Sequence, residues 1–204
     1  MKQFWNDRYA SDQFAYGQEP NVFFKQEIDK LAKGKILLPA DGEGRNSVYA
    51  AKHGWTSFAC DLSLQGKEKA QKLAAKNQVN LNYLVGDFGS LSYQKQFFDT
   101  IAMIYAHFPA EKKSEFHGLA DQYLKVGGTI ILEAFSKNHL KFNSVNPIVG
   151  GPRDIEMLYS IEEIKDDFPN YEILILGETE TELSEGQFHI GRASVVRFVG
   201  RKRS

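Results

Sequence analysis

Short apolar runs alternate with amphipathic stretches through most of this chain. Lys35-Ile36-Leu37-Leu38 reads as a buried strand. Arg45 to His53 carries Val48, Ala50 and Ala51 and stops at Gly54, which predicts a short helix. Trp55 to Cys60 predicts a second strand, and Ser63 to Asn77 a helix with Ser63 as its N-cap and Leu64, Ala70, Leu73 and Ala74 as its apolar positions. Val79 to Val85 alternates as a third strand, Phe97 to Tyr105 forms a fourth, and Thr129 to Phe135 a fifth. Between the last two, Ala110 to Lys125 reads as a helix stopped before Gly127-Gly128. Strands separated by helices of this length imply right-handed crossovers and a parallel sheet covered on both faces.

The ending breaks that rhythm. Ser160 to Phe168 predicts a helix, Tyr171 to Leu176 a strand, Glu178 to Gly186 a polar loop, and Phe188 to Val199 another strand. Two strands joined without a helix pair antiparallel. The expected fold class is therefore α/β: a doubly wound, mostly parallel sheet closed by a C-terminal antiparallel hairpin. Two stretches fall outside it. Residues 1–32 hold Phe4, Trp5, Tyr9, Phe14, Tyr16, Phe23 and Phe24, which suits either an aromatic arm packed on the domain or a lid. Residues 136–159 form a connection longer than plain loops usually are.

Composition narrows the options. A chain of 204 residues with 42% hydrophobic and 25% charged positions fits one packed domain, 1–204. The net charge of −1 supplies no global field for nucleic acid. Cys60 is the single cysteine, so intramolecular disulfides and multi-cysteine zinc sites are excluded. The five histidines show no metal-ligand spacing. No apolar run approaches the roughly 18–20 residues of a membrane span, and the N-terminus has no apolar signal core. The expectation is a cytoplasmic protein with no membrane or nucleic-acid partner.

Three strand ends hold the candidate chemistry. Leu37-Leu38-Pro39-Ala40-Asp41-Gly42-Glu43-Gly44-Arg45-Asn46 runs from a buried strand through a glycine turn into a helix. Glycine there lets the backbone approach a ligand, at the carboxyl edge of the sheet where ligands sit. Asp61 ends the second strand, where a carboxylate accepts both hydroxyls of a ribose. Gly86-Asp87-Phe88 ends the third, pairing a carboxylate for an adenine amino group with a ring to cover the base.

These segments resemble the class I S-adenosylmethionine-dependent methyltransferases, whose sheet is Rossmann-like and seven-stranded. More narrowly they resemble the small bacterial members related to tellurite-resistance and thiopurine methyltransferases. The residues concerned are Phe4-Trp5-Asn6-Asp7-Arg8-Tyr9, Tyr16 to Asn21, Asp41 to Asn46, Cys60 to Ser63, Gly86-Asp87-Phe88, Phe98-Asp99, Lys125 to Gly128, Glu133-Ala134-Phe135, Gly150-Gly151-Pro152, Phe188-His189 and Gly191-Arg192-Ala193. The resemblance implies S-adenosylmethionine as cofactor and a small-molecule acceptor, among them a thiol or a metalloid oxyanion such as tellurite. It implies a cofactor-binding half at 33–135 and an acceptor-side half at 136–204.

By the same resemblance the cofactor contacts are Asp41, Gly42, Gly44, Arg45 and Asn46 toward the methionine part, Asp61 on the ribose, Leu62 and Phe88 about the adenine, and Asp87 on its amino group. Tyr105-Ala106-His107-Phe108-Pro109 matches the loop beside the sulfonium. The chain departs from the pattern at Leu38, where an acid is frequent, at Ala40, which replaces the first glycine, and at Asp41, which replaces a small residue. Alignment alone suffices for a soft acceptor, whereas a hydroxyl or amine must lose a proton. His107, after the fourth strand, and His189, in the last, are the candidate catalytic residues. Arg45 and Arg192 are candidates for an anionic acceptor, and Cys60 reads as a structural thiol. Acceptor specificity is expected from residues 1–24, the 136–159 connection and the loop near Glu185-Gly186. Two rivals stand beside this reading. An NAD-dependent oxidoreductase is disfavoured because no glycine follows Arg45 before Gly54. A non-catalytic adenosyl-ligand binder shares the fold.

Overall fold

The computed structural model describes residues 1–204. Seven strands form one sheet in the order β3-β2-β1-β4-β5-β7-β6. The strands are β1 (Lys35–Pro39), β2 (Thr56–Asp61), β3 (Asn82–Val85), β4 (Phe98–Ile104), β5 (Leu124–Phe135), β6 (Tyr171–Glu185) and β7 (His189–Lys202). The helices are α1 (Lys2–Tyr9), α2 (Val22–Ile28), α3 (Arg45–Lys52), α4 (Leu64–Lys76), α5 (Lys113–Tyr123), the single turn α6 (Leu140–Asn143) and α7 (Ile161–Asp167).

β1 pairs in parallel with both β2 and β4, so the chain builds outward in both directions from β1. The resulting switch point opens a crevice at the carboxyl ends of β1 and β4. Alternation along β1 feeds both faces. Leu37 packs into a cluster with Phe98, Phe116 and Leu132, while Ile36 and Leu38 pack with Phe24, Tyr49 and Ala59. Ser63 caps α4 as expected, its hydroxyl accepting from the Gly66 N–H at 3.1 Å.

Several boundaries differ from the sequence reading, among them the end of the last strand, which runs on to Lys202 rather than Val199. The third strand starts at Asn82 rather than Val79. α5 ends at Tyr123, and β5 begins at once with Leu124. The largest change is at Glu178–Gly186: β6 continues to Glu185, and its polar residues pair with β7 through Glu185↔His189. Alternating Glu and Thr on this edge strand face solvent, and ladder hydrogen bonds replace burial as the reason for the strand. Glu180 pairs with Lys141 and Arg192 across the surface.

Residues 1–32 fold as two helices and connecting turns. Gln187 donates its backbone N–H to Ala15 O at 2.8 Å, so the arm touches the tip of the β6–β7 hairpin. The 136–159 connection folds as short helical turns tied back by a bridge between Ser136 and Tyr159. No helix is long and apolar enough to cross a membrane.

Candidate active site

The chain leaves β1 in an unusual conformation. Ala40 has φ +54°, followed by Gly42 at +58° and Gly44 at +85°, which caps α3. Gly44 has no room for a side chain, since a Cβ there would lie 2.5 Å from the Cβ of Ala70 on α4. The turn is braced from two sides. Asp61 Oδ2 accepts from the Gly42 N–H at 3.0 Å, and the Tyr83 hydroxyl donates to Gly42 O at 2.6 Å. Tyr105, at the tip of the neighbouring β4, also has a left-handed backbone, φ +52°. Two non-glycine residues strained at adjacent strand ends mark a site whose shape is overdetermined by its surroundings.

Between these tips lies a cavity of about 490 Å³, within the roughly 300–1,000 Å³ of small-molecule sites. Its floor is the β1 turn with Asp61, Leu62 and Gly86. Its walls are Phe88 and the Tyr105–Pro109 loop, and on the far side Gly150–Asp154 with His189. α1 forms the roof through Trp5, Arg8 and Tyr9, whose rings at positions 5 and 9 stack 5.5 Å apart.

Electrostatics single out the floor. Both Asp41 carboxylate oxygens are out of contact with solvent and have no hydrogen-bond partner. Burial pushes this carboxyl up to about 7; Ser47 lies close enough to oppose the shift but spends its hydroxyl on Gly44 O at 3.2 Å, Asp61 reinforces the shift, and the Arg45 charge opposes it. Asp61 is pushed up to about 6, again mainly by burial, against the backbone N–H groups of Ser63, Gly42 and Leu62. Each Asp61 oxygen holds one backbone N–H, which leaves further lone pairs for a ligand's hydroxyls.

The roof and far wall are pinned by a buried ionic network. Glu43, at the turn, accepts from Lys69 Nζ at 2.6 Å and from the Ala15 N–H at 2.8 Å. Arg45 donates to Glu185 at 2.8 Å and to Tyr16 O at 3.2 Å. Asn21 donates to Glu133 at 2.7 Å and to Glu185 at 3.1 Å, and Glu133 is paired with Arg197 at 2.6 Å. Arg8 lies over the Phe188 ring at 3.9 Å and donates to the Tyr16 hydroxyl.

Of the residues singled out from sequence, Asp41, Gly42, Arg45, Asn46, Asp61, Leu62, Phe88, Tyr105, His107 and His189 all line this cavity. Gly44 lies behind the turn against α4. Asp87 is exposed and outside the lining, because its backbone turns into the short 3-10 helix at Phe88–Ser90. The two histidines differ sharply. His107 Nδ1 donates to Met157 O at 3.0 Å and its Nε2 accepts from the Phe135 N–H at 3.3 Å. Burial holds it down at about 3, so it is a neutral buttress with neither nitrogen free. His189 instead donates Nδ1–H to Glu185 at 3.0 Å and keeps Nε2 without a protein partner. Arg192 is exposed and paired with Glu180, away from the cavity, and Arg45 already answers Glu185. Cys60 is buried, its thiol pushed up to about 12 mainly by burial.

Sequence reasoning gave no role to Glu43, Glu133 or Asn21. Glu133 left a trace: an acid inside the apolar run Ile130-Ile131-Leu132-Glu133-Ala134-Phe135 is expected to be paired. Asn21 and Glu43 are recognised only once the arm is seen folded over the turn.

Residues 36–128 match a family model described as a methyltransferase domain. Over those residues the chain is similar to methyltransferase domains, and S-adenosylmethionine is the cofactor that this similarity implies. Among solved structures the chain is similar to TehB from Haemophilus influenzae at 16% identity, covering 99% of this chain and 67% of that one with a TM-score of 0.73. A SAM-dependent methyltransferase from Anabaena variabilis shares 18% identity over 99% of this chain and 93% of its own, TM-score 0.70. A protein from work on converting a disulfide bond into a thioacetal group during echinomycin biosynthesis shares 14% identity over 100% and 92%, TM-score 0.79. At these identities the likeness establishes the fold. No curated protein sequence matches the chain.

Proposed function

We propose that this chain transfers a methyl group from S-adenosylmethionine to a small-molecule acceptor held between the cofactor floor and the hairpin wall. The observation that supports it most strongly is the unpartnered, solvent-free Asp41 carboxylate next to Asp61 on two neighbouring strand tips of one cavity. An ammonium group suits the first, because a buried carboxylate without a partner is costly. A ribose diol suits the second. When bound, the cofactor supplies a methyl already activated on a sulfonium. Asp41 and the Gly42 turn would hold its methionine end, with Arg45 and Asn46 at the α3 start beside them. Asp61 would hold the ribose, and Leu62 and Phe88 would flank the adenine. Asp87 would reach the base only from the rim.

In this reading residues 33–135 hold the cofactor, 136–204 shape the acceptor side, and 1–32 act as a lid over both. The lid and the Gly150–Asp154 wall exclude water, and alignment across the cavity lowers the barrier. His189, through its free Nε2, would take the acceptor's proton. His107 would keep the Phe135 backbone in place. The TehB likeness fits a metalloid oxyanion among the acceptors considered, and thiols and other small metabolites fit the same space. A cytoplasmic location suits the single, reduced Cys60.

Calorimetric titration with S-adenosylmethionine, S-adenosylhomocysteine and NAD, followed by an acceptor panel scored for S-adenosylhomocysteine release, tests the proposal. Adenosyl ligands are expected to bind and NAD not to. Binding without product on any acceptor would favour the non-catalytic reading, and preference for NAD would overturn the assignment.

A further inference from the structure

Glu185 sits opposite His189 at the closing pair of the hairpin. Its carboxylate is reached by three donors: His189 Nδ1 at 3.0 Å, Arg45 Nη2 at 2.8 Å and Asn21 Nδ2 at 3.1 Å. Arg45 is itself held by Tyr16 O, and Asn21 by Glu133, so the carboxylate cannot swing away without breaking the network beneath the lid. Against the upward push of burial, the His189 hydrogen bond and the Arg45 charge keep Glu185 at about 2. An ionised carboxylate only accepts, so the imidazole proton stays on Nδ1. Nε2 is then left as an acceptor on a ring that lines the cavity. That ring is gripped by Tyr16, Tyr105 and Phe135, at centroid distances of 4.5, 4.7 and 5.3 Å. A base within reach of substrate and oriented by a second group is the arrangement used to activate protic nucleophiles.

We infer that Glu185 is the positioning residue that fixes His189 with Nε2 toward the acceptor, and that the acceptor is consequently a small molecule attacking through a protic hydroxyl, thiol or amine. This rests on the reading of His189 as proton acceptor. The nucleophile forms its bond to the methyl carbon while the carbon–sulfur bond breaks with its electron pair left on sulfur. The proton passes from the nucleophile to His189 Nε2, and the imidazolium beside Glu185 later yields it to water. A metalloid oxyanion attacking through a lone pair needs no such base. The charged and titratable groups around His189 are Glu185 on β6, Arg45 on α3, Arg8 on α1, Tyr16 in the arm, Tyr105 after β4, and His107 and His139. Of these, Glu185 alone accepts from its ring.

The test uses the full chain with labelled histidine, saturated with S-adenosylhomocysteine. Long-range proton–nitrogen spectra should show His189, assigned through His189→Gln, protonated on Nδ1 alone at neutral pH. Glu185→Gln should shift its titration to lower pH and mix the tautomers, while Glu185→Asp, which keeps the charge, should restore both in part. Calorimetry with S-adenosylhomocysteine checks that each variant still folds around its ligand, and Glu185→Asp carries the comparison if Glu185→Gln does not. On the acceptor panel, with tellurite as the aprotic arm, a protic compound should turn over. Its kcat should drop about 10²-fold in Glu185→Gln, a larger loss than any change in cofactor KM that follows from unpairing Arg45, and the acidic limb of the pH profile should move to lower pH. An unchanged His189 spectrum in both Glu185 variants would overturn the positioning role. Turnover of tellurite but of no protic acceptor would overturn the substrate class. If His189→Gln kept full turnover on a protic acceptor, the base reading beneath the inference would fall, whatever the spectra showed.

Discussion

Asp41→Asn offers a perturbation whose size follows from the structure. In the folded chain this carboxyl sits at about 7, against the usual 3.8. At about 1.4 kcal/mol per tenfold change in acidity, that difference is about 4 kcal/mol. The sign is unusual for an aspartate. Because the folded value is raised, the native protein holds a proton that the unfolded chain has already lost. Stability therefore falls as pH rises from the unfolded value toward about 7, and is level above it. Asp61 adds a similar slope, from 3.8 up to about 6. Replacing the Asp41 carboxylate by an amide removes the charge penalty. The amide still lacks a partner and keeps part of the cost, so we expect a gain of about 1–3 kcal/mol at pH 8. For a chain of this size that raises Tm by roughly 3–10 °C.

The gain should vanish near pH 4, where both variants are neutral at this position. Thermal unfolding of the ligand-free protein across pH 4–9 measures it directly. Ligand binding should move the other way, with affinity for S-adenosylhomocysteine falling roughly 10- to 100-fold as a charge-assisted contact is lost. Wild-type binding at pH 7 should release about half a proton as Asp41 ionises, read from the buffer dependence of the binding enthalpy. An Asn variant no more stable than wild type at pH 8, or one that binds with undiminished affinity, would refute the reasoning.

Four further outcomes follow from the same geometry. Asp61→Ala removes the acceptor for the Gly42 N–H and, with it, the proposed ribose contact, so adenosyl affinity should fall at least about tenfold by calorimetry. Gly44→Ala forces a methyl against the backbone and side chain of Ala70 at a φ of +85°, and should cost about 2–4 kcal/mol in denaturant unfolding. Trp5 lines the cavity while Trp55 is buried in the core, so S-adenosylhomocysteine should change tryptophan emission in wild type and not in Trp5→Phe. Cys60, held up at about 12 by burial, should resist thiol reagents at pH 8 until the protein is unfolded.

The β1 turn and the strand tips around the cavity were legible in the sequence because their signals are local. A buried strand, a glycine turn and a capped helix lie within a dozen or so residues, and each is fixed by its own propensities. Asp61 was found for the same reason, since it closes a clear strand. Asp87 shows the limit of that logic: a strand end places a residue near an edge, but a single backbone turn decides whether its side chain faces in. His107 and His189 looked equivalent by position, and their hydrogen-bond partners alone separate them. Met157, Phe135 and Glu185 occupy both nitrogens of one ring and one nitrogen of the other. The continuation of β6 through Glu178–Glu185 was hidden because an exposed edge strand needs no apolar face, so its polar residues read as loop.

The arm and the hairpin show why the rest was not legible. Neither Asn21 nor Glu185 belongs to a recognisable local pattern, and they meet across 164 positions of sequence. Each would be a poor choice alone, because a buried acid or amide without a partner costs several kcal/mol. Together with Arg45, Glu133 and Arg197 they form two acids answered by two guanidiniums, joined through one amide. Breaking one member leaves the others buried and unpaired, which costs more than the pairing itself supplies. The network therefore makes closure of the arm, seating of the hairpin tip and orientation of His189 a single event. A chain with the cofactor turn intact but the arm displaced would still bind an adenosyl ligand weakly on its floor. It would lack the α1 roof of the cavity and the Glu185 contact to His189, so on the proposed reading cofactor affinity and turnover should respond differently to mutations in residues 13–21.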